Sequence, residues 1–220
     1  MIVPLPDGAL AARLLPLVDH PDPEVVVACV RAAELAGAPC AEVGLRHPAS
    51  LEALRAAVSA ASIPVGAGTV TTPADVDAAL DAGARFLVSP GVTPSLTAAV
   101  TSAGAPWLPG AATPSEVMAL ADAGAATVKL FPAGPLGGIA AVRSVAAVAD
   151  VGLVPTGGVG PRDVADLLAV DAVVAVGGTW MFADATSPDA TSPDTASPDT
   201  ASPDVLAARV REALALARRP

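Results

Sequence analysis

Aromatic residues make up only 2% of this 220-residue chain, with no tyrosine, three phenylalanines and two tryptophans. A core of stacked rings is therefore excluded, and the 53% hydrophobic content has to be packed mainly from Ala, Val and Leu. Charge is scarce too, at 15%, and positive charge is the scarcer kind: 12 Lys plus Arg stand against 22 Asp plus Glu, for a net charge of −10. That balance argues against nucleic-acid binding by counterion release. Two cysteines, Cys29 and Cys40, and two histidines, His20 and His47, offer no spacing from which a metal centre could be assembled. Both thiols are expected to be reduced and buried. The longest uncharged run, Phe86 to Ser115, is broken by Pro90, Pro94, Pro106, Pro109 and Pro114, so no membrane span is expected. The start, Met-Ile-Val-Pro-Leu-Pro-Asp, has neither a basic n-region nor a continuous apolar h-region, which makes the cytoplasm the expected location.

Short β-branched or Leu-rich runs alternate with Ala-rich segments of helical period, the pattern of βα repetition. Strands are expected near Leu14–Val18, Cys40–Leu45, Ile63–Ala67, Arg85–Val88, Pro106–Leu108, Thr127–Leu130, Gly152–Pro155 and Ala172–Val176. Helices are expected to begin near Pro23, Pro48, Pro73, Pro94, Pro114, Leu136 and Pro161, with a last one from about Val205 to Arg218. Eight such units predict an α/β fold, a (β/α)₈ TIM barrel forming one domain over residues 1–220. Gly66-Ala67-Gly68 matches half of a dinucleotide fingerprint, but no third glycine or strand-closing acid follows it. Before the last helix, variants of Thr-Ala-Ser-Pro-Asp recur at a period of five, predicting a disordered low-complexity insert at 184–204, with Asp204 capping the final helix.

One lysine is present, Lys129, inside the sixth apolar strand, where an ammonium is costly to bury unless paired. A structural lysine would snorkel to water, yet Lys129 shares a strand face with Phe131 and points into a barrel interior, which favours a chemical role. On the second strand Glu42, Gly44 and Arg46 alternate onto one face, either as a structural ion pair or as the wall of an open pocket. Polar and glycine-rich groups recur at strand ends: Gly68-Thr69, Ser89-Pro90-Gly91, Pro109-Gly110, Thr156-Gly157-Gly158 and Gly177-Gly178-Thr179. The doublets after strands seven and eight fall where barrels bind phosphate through backbone N–H groups.

In order and together, Glu42-Val43-Gly44-Leu45-Arg46, Gly66-Ala67-Gly68-Thr69-Val70, Ser89-Pro90-Gly91, Val128-Lys129-Leu130-Phe131-Pro132-Ala133, Pro155-Thr156-Gly157-Gly158 and Gly177-Gly178-Thr179-Trp180 resemble a known family. It is the class I 2-keto-3-deoxy-6-phosphogluconate (KDPG) aldolases, also described as 4-hydroxy-2-oxoglutarate (KHG) aldolases. The resemblance, over about Leu14 to Phe182, implies catalysis by a Schiff-base lysine, Lys129, and a general acid/base, Glu42. It implies carboxylate recognition around Arg46 and Thr69, and Pro90, Phe131, Thr156, Gly157, Gly158, Gly177, Gly178 and Thr179 complete the expected substrate-binding set. No cofactor is required and no metal is expected. The implied partner is a phosphorylated 2-keto-3-deoxy sugar acid, handled by a homotrimer. Gly44 stands where the family often has Thr, and Gly134 where it often has an acid. Asp19 stands where a basic or apolar residue is more usual, and the pentapeptide repeat is foreign to the family. The rival readings are a phosphate-binding barrel isomerase or synthase, and a barrel serving as a non-catalytic oligomeric scaffold.

Overall fold

The computed structural model describes residues 1–182 and 202–218. The expected insert at 184–204 lies outside the described residues except for its last three positions. In chain order the elements are β1 (Leu14–Val18), α1 (Pro23–Ala36), β2 (Ala41–Gly44), α2 (Ser50–Ala60), β3 (Val65–Gly68), α3 (Pro73–Asp81), β4 (Leu87–Val88), α4 (Pro94–Ala103), β5 (Trp107–Leu108) and β6 (Gly110–Ala111). They continue with α5 (Pro114–Asp122), β7 (Thr127–Leu130), α6 (Ile139–Ala146), β8 (Gly152–Pro155), α7 (Val164–Leu168), β9 (Val176–Gly178) and α8 (Pro203–Ala217).

Helix starts follow from a repeated local device. Thr72, Thr93 and Thr113 each sit in extended backbone, accept a hydrogen bond from the N–H three residues on, and precede a proline at the first helical position. The hydroxyl satisfies an orphan donor, and proline removes another while presetting φ. Asp22 does the same before Pro23 by accepting from the Glu24 N–H at 2.9 Å. Gly37 and Gly104, in left-handed backbone, end α1 and α4.

Every paired strand is parallel. One run has the order β5-β4-β3-β2-β1-β9 and a second β6-β7-β8. Single bridges between Leu153 and Val173 and between Thr156 and Gly177 join β8 to the β9 stave, and β5 continues into β6 across Pro109, so the ring closes as a (β/α)₈ barrel. The five residues of β1 are all buried, as in sheets covered on both faces. Inside the barrel, Leu15, Cys40, Phe86, Val88, Leu108 and Val154 form a compact plug, and Ala9, Leu5 and Leu10 of the N-terminal segment pack against it. Between barrel and helices lies the larger core, dominated by Ala, Val and Leu. Among the described residues no helix is long and apolar enough to cross a membrane.

Several boundaries differ from expectation. The fifth stave is two short strands, because Pro109 has no N–H to continue the ladder; its carbonyl still accepts from the Lys129 N–H at 2.9 Å. The eighth stave pairs at Val176–Gly178 rather than Ala172–Val176, where only the isolated Val173 bridge forms. Gly177 and Gly178 therefore belong to the strand instead of following it, as does Gly68 at the end of β3. Helices α2, α6 and α7 begin two or three residues later than their opening residues predict, at Ser50, Ile139 and Val164. The cap of α8 is Ser202, and Asp204 lies within its first turn, where a carboxylate still opposes the helix dipole favourably.

Candidate active site

The second and seventh strands meet at the centre of the barrel. Lys129 on β7 and Glu42 on β2 are 4% and 1% exposed, and Lys129 Nζ donates to Glu42 Oε1 at 3.2 Å across 87 residues of sequence. Removing either partner alone would leave a buried charge uncompensated. The second carboxylate oxygen, Oε2, is buried with no hydrogen-bond partner among the described residues. Lys129 Nζ also lies 5.6 Å from the centre of the Phe131 ring.

Space for the pair comes from β3. Gly66 and Gly68 stand opposite Glu42 and Gly44 in the β2–β3 register. A side chain at Gly66 would collide with the Phe86 ring, and one at Gly68 with the Glu42 carboxyl group. The Gly-Ala-Gly run is thus an accommodation for one buried ring and one buried carboxylate.

The Phe131 ring, near Lys129 Nζ, also lines a cleft. Of the expected substrate-binding residues, Arg46, Phe131, Thr156, Gly157, Gly158, Gly178 and Thr179 line it, together with Leu17 and Val159. Three expected residues do not. Thr69 acts one step back, accepting from Arg46 Nε at 3.3 Å, and does so from left-handed backbone (φ 59°) that a β-branched residue rarely adopts. Gly177 packs under the Thr156 hydroxyl, where a side chain would not fit. Pro90 sits against the back of Gly110, the strand partner of Lys129. Ser89, in the same motif, holds strands together, accepting from Trp107 Nε1 at 3.1 Å and the Gly110 N–H at 3.4 Å.

Two residues absent from the expected set stand at the mouth. Asp19, just past β1, accepts from Arg46 Nη1 at 3.2 Å, and its other oxygen is 3.2 Å from His47 Nε2. The sequence signal for them is the unusual acid after the first strand. What the sequence lacks is any indication that Arg46 folds back far enough to reach it.

The arrangement is one buried amine, one buried carboxylate within proton-transfer distance, and a cation lining a cleft with Thr156, Gly157, Gly158, Gly178 and Thr179. Such a set can form an imine with a keto acid and shuttle its protons. Residues 8–192 match the family of KDPG and KHG aldolases. The KHG/KDPG aldolase of Escherichia coli is 38% identical over 167 residues, covering 74% of this chain and 78% of that protein. The 2-dehydro-3-deoxy-phosphogluconate aldolase of Pseudomonas aeruginosa is 38% identical over 176 residues, covering 79% and 80%. Among solved structures, the KDPG aldolase of Zymomonas mobilis with 3-phosphoglycerate superimposes with a TM-score of 0.82 at 32% identity, covering 96% of this chain and 95% of that one. The Legionella pneumophila KDPG aldolase, in which pyruvate was captured as a covalent carbinolamine, gives 0.80 at 28% identity, covering 94% and 97%. With its barrel, its motifs and these relatives in agreement, the chain belongs to the KDPG and KHG aldolase family.

Proposed function

We propose that this protein is a class I aldolase, a lyase that cleaves 2-keto-3-deoxy-6-phosphogluconate to pyruvate and glyceraldehyde 3-phosphate, and also cleaves 4-hydroxy-2-oxoglutarate to pyruvate and glyoxylate. The observation that carries this reading is the buried Lys129–Glu42 contact at 3.2 Å. Lys129, as the free amine, adds to the C2 carbonyl of the keto acid. Glu42 delivers a proton to the resulting alkoxide, and loss of water leaves a protonated imine. Cleavage then breaks the C3–C4 bond. Its electrons pass into the C2–C3 enamine, while the C4 hydroxyl proton goes to Glu42, directly or through one water. Protonation of the enamine at C3 and hydrolysis of the imine release pyruvate and return the amine.

Positioning falls to the cleft. Arg46, oriented by Thr69, takes the substrate carboxylate, and the Phe131 ring packs beside the reacting carbons. The phosphate lies against Gly157-Gly158 and Gly178-Thr179, which line the cleft. The enzyme acts as a homotrimer in the cytoplasm, a part of the reading supported by family membership alone. Purified protein incubated with KDPG should release pyruvate, and Glu42→Gln should slow that release by about 10²- to 10⁴-fold. Release at the wild-type rate from Lys129→Ala would sink the reading.

A further inference from the structure

Arg46 already has an anion. Asp19 Oδ2 accepts from its Nη1 at 3.2 Å, while Oδ1 lies 3.2 Å from His47 Nε2 without the alignment of a hydrogen bond. The carboxylate is the more enclosed partner, 14% exposed against 37% for Arg46 and 33% for His47. Its seat depends on β2: a Cβ at residue 44 would stand 3.2 Å from Asp19 Oδ1 and 3.4 Å from its Cγ, and the three nearest atoms to that point all belong to Asp19. An alanine Cβ at 44 fits only if the Asp19 carboxylate gives by a few tenths of an ångström, which shifts it on Arg46.

Asp19 could anchor Arg46 for its ligand or compete with that ligand. The anchoring contribution is small, because the pair is substantially exposed on the arginine side and Thr69 already holds Nε. The competing effect acts whenever a carboxylate is bound, since one guanidinium must then face two anions at close range. We propose that Asp19, seated by the missing side chain of Gly44, acts through Arg46 as an internal competitor that weakens capture of 2-keto acid carboxylates. Pyruvate carries the same carboxylate as the substrate, so the pair also speeds release of that product. The inference rests on the aldolase reading and on the placement of Arg46 within it.

The test compares the full chain with Asp19→Asn, Gly44→Ala and the double variant. It reads the pyruvate concentration that half-saturates borohydride trapping, and KM and kcat for the keto acid. Asp19→Asn keeps the shape and removes the charge, so half-saturation and KM should both fall roughly threefold to tenfold, with the change in KM rather than kcat. Gly44→Ala should act in the same direction by displacing the carboxylate, and should add nothing once Asp19 is Asn. Unchanged or raised KM in a folded Asp19→Asn variant overturns the inference, because Asp19 would then be inert or an anchor. Additive effects in the double variant also overturn it, by uncoupling the two positions. If wild-type protein traps no pyruvate, the aldolase reading falls and this inference with it. If it traps pyruvate with a concentration dependence indifferent to Asp19, only this inference falls.

Discussion

Gly68→Ala tests the geometry of the Glu42–Lys129 pair without removing either member. Gly68 closes β3 beside Gly44, and a Cβ there would stand 2.8 Å from both Cγ and Cδ of Glu42, closer still to Oε1. Non-bonded carbons rest at about 3.5–4.0 Å, so the carboxyl group has to retreat by roughly 0.7–1.2 Å. A retreat away from Lys129 Nζ opens the present 3.2 Å contact toward or past hydrogen-bond reach. Misplacing a reacting group by about 1 Å costs on the order of 10²-fold in rate, and complete loss of general acid/base catalysis sets the ceiling at about 10⁴. Overpacking of this size destabilises by about 1–3 kcal/mol, and each kcal/mol lowers Tm by about 2–4 °C in a chain of this length. Thermal melts separate that loss from the catalytic one. The expected outcome is a folded variant with kcat for pyruvate release reduced about a hundredfold, in which borohydride and pyruvate still modify Lys129. A folded variant within about threefold of wild-type kcat would refute the claim that the carboxylate must touch the amine, since the collision is unavoidable and a misplaced carboxylate should carry the larger loss.

Burial pushes the thiols of Cys29 and Cys40 up to about 12, with Arg209 drawing Cys29 back a little and Glu42 adding to the effect at Cys40. At pH 8 only about one thiol in ten thousand is then thiolate, so iodoacetamide should label neither in the native protein and both in urea, as read by intact mass. Hydrogen bonds from the Ala112 N–H and from Thr113 hold the Glu116 carboxyl below its ordinary range, against a smaller opposing effect of burial. A folded-state pKa below the unfolded one stabilises above about pH 4.3 and stops doing so as pH falls through the folded value, so the Tm deficit of Glu116→Ala should be full at about pH 6 and shrink steadily below about pH 4. Gly178→Asp adds bulk 2.5 Å from the Trp180 ring and a negative charge in the cleft. Its kcat/KM should fall further for the 6-phosphate sugar acid than for 4-hydroxy-2-oxoglutarate, and equal losses would remove the phosphate from that place.

The barrel is legible in the sequence because its evidence is periodic. Parallel strands covered on both faces read as apolar runs, and Thr-Pro or Asp-Pro punctuates the helices, so β1, β7 and β8 match their expected ranges and α1, α3, α4 and α5 their expected first residues. Helices with no side-chain cap, α2, α6, α7 and α8, are the ones that start away from the expected residue, the first three late and α8 two residues early at Pro203, since no cap fixes the first turn there. The rarity of lysine exposes Lys129, and strand alternation exposes Glu42, but their contact spans 87 residues and is set by barrel closure, which no local pattern encodes. The same limit hides the purposes of Gly66, Gly68 and Gly44. A glycine that makes room for a distant side chain looks like any other until the neighbour is known, and the neighbours here are Phe86, Glu42 and Asp19. Asp19 is visible in the sequence only as an oddity; its meaning lies in the fold-back of Arg46.

Imine formation between Lys129 and pyruvate is the central claim, and the chain's composition makes it unusually testable. Lys129 is the only lysine, so the only other aliphatic amine is the N-terminus. Borohydride reduction in the presence of pyruvate, followed by intact mass and peptide mapping, should show one adduct, located on Lys129, that blocks tryptic cleavage there and is absent from Lys129→Ala. No adduct on the wild-type protein, or an adduct that persists in Lys129→Ala, would contradict the account.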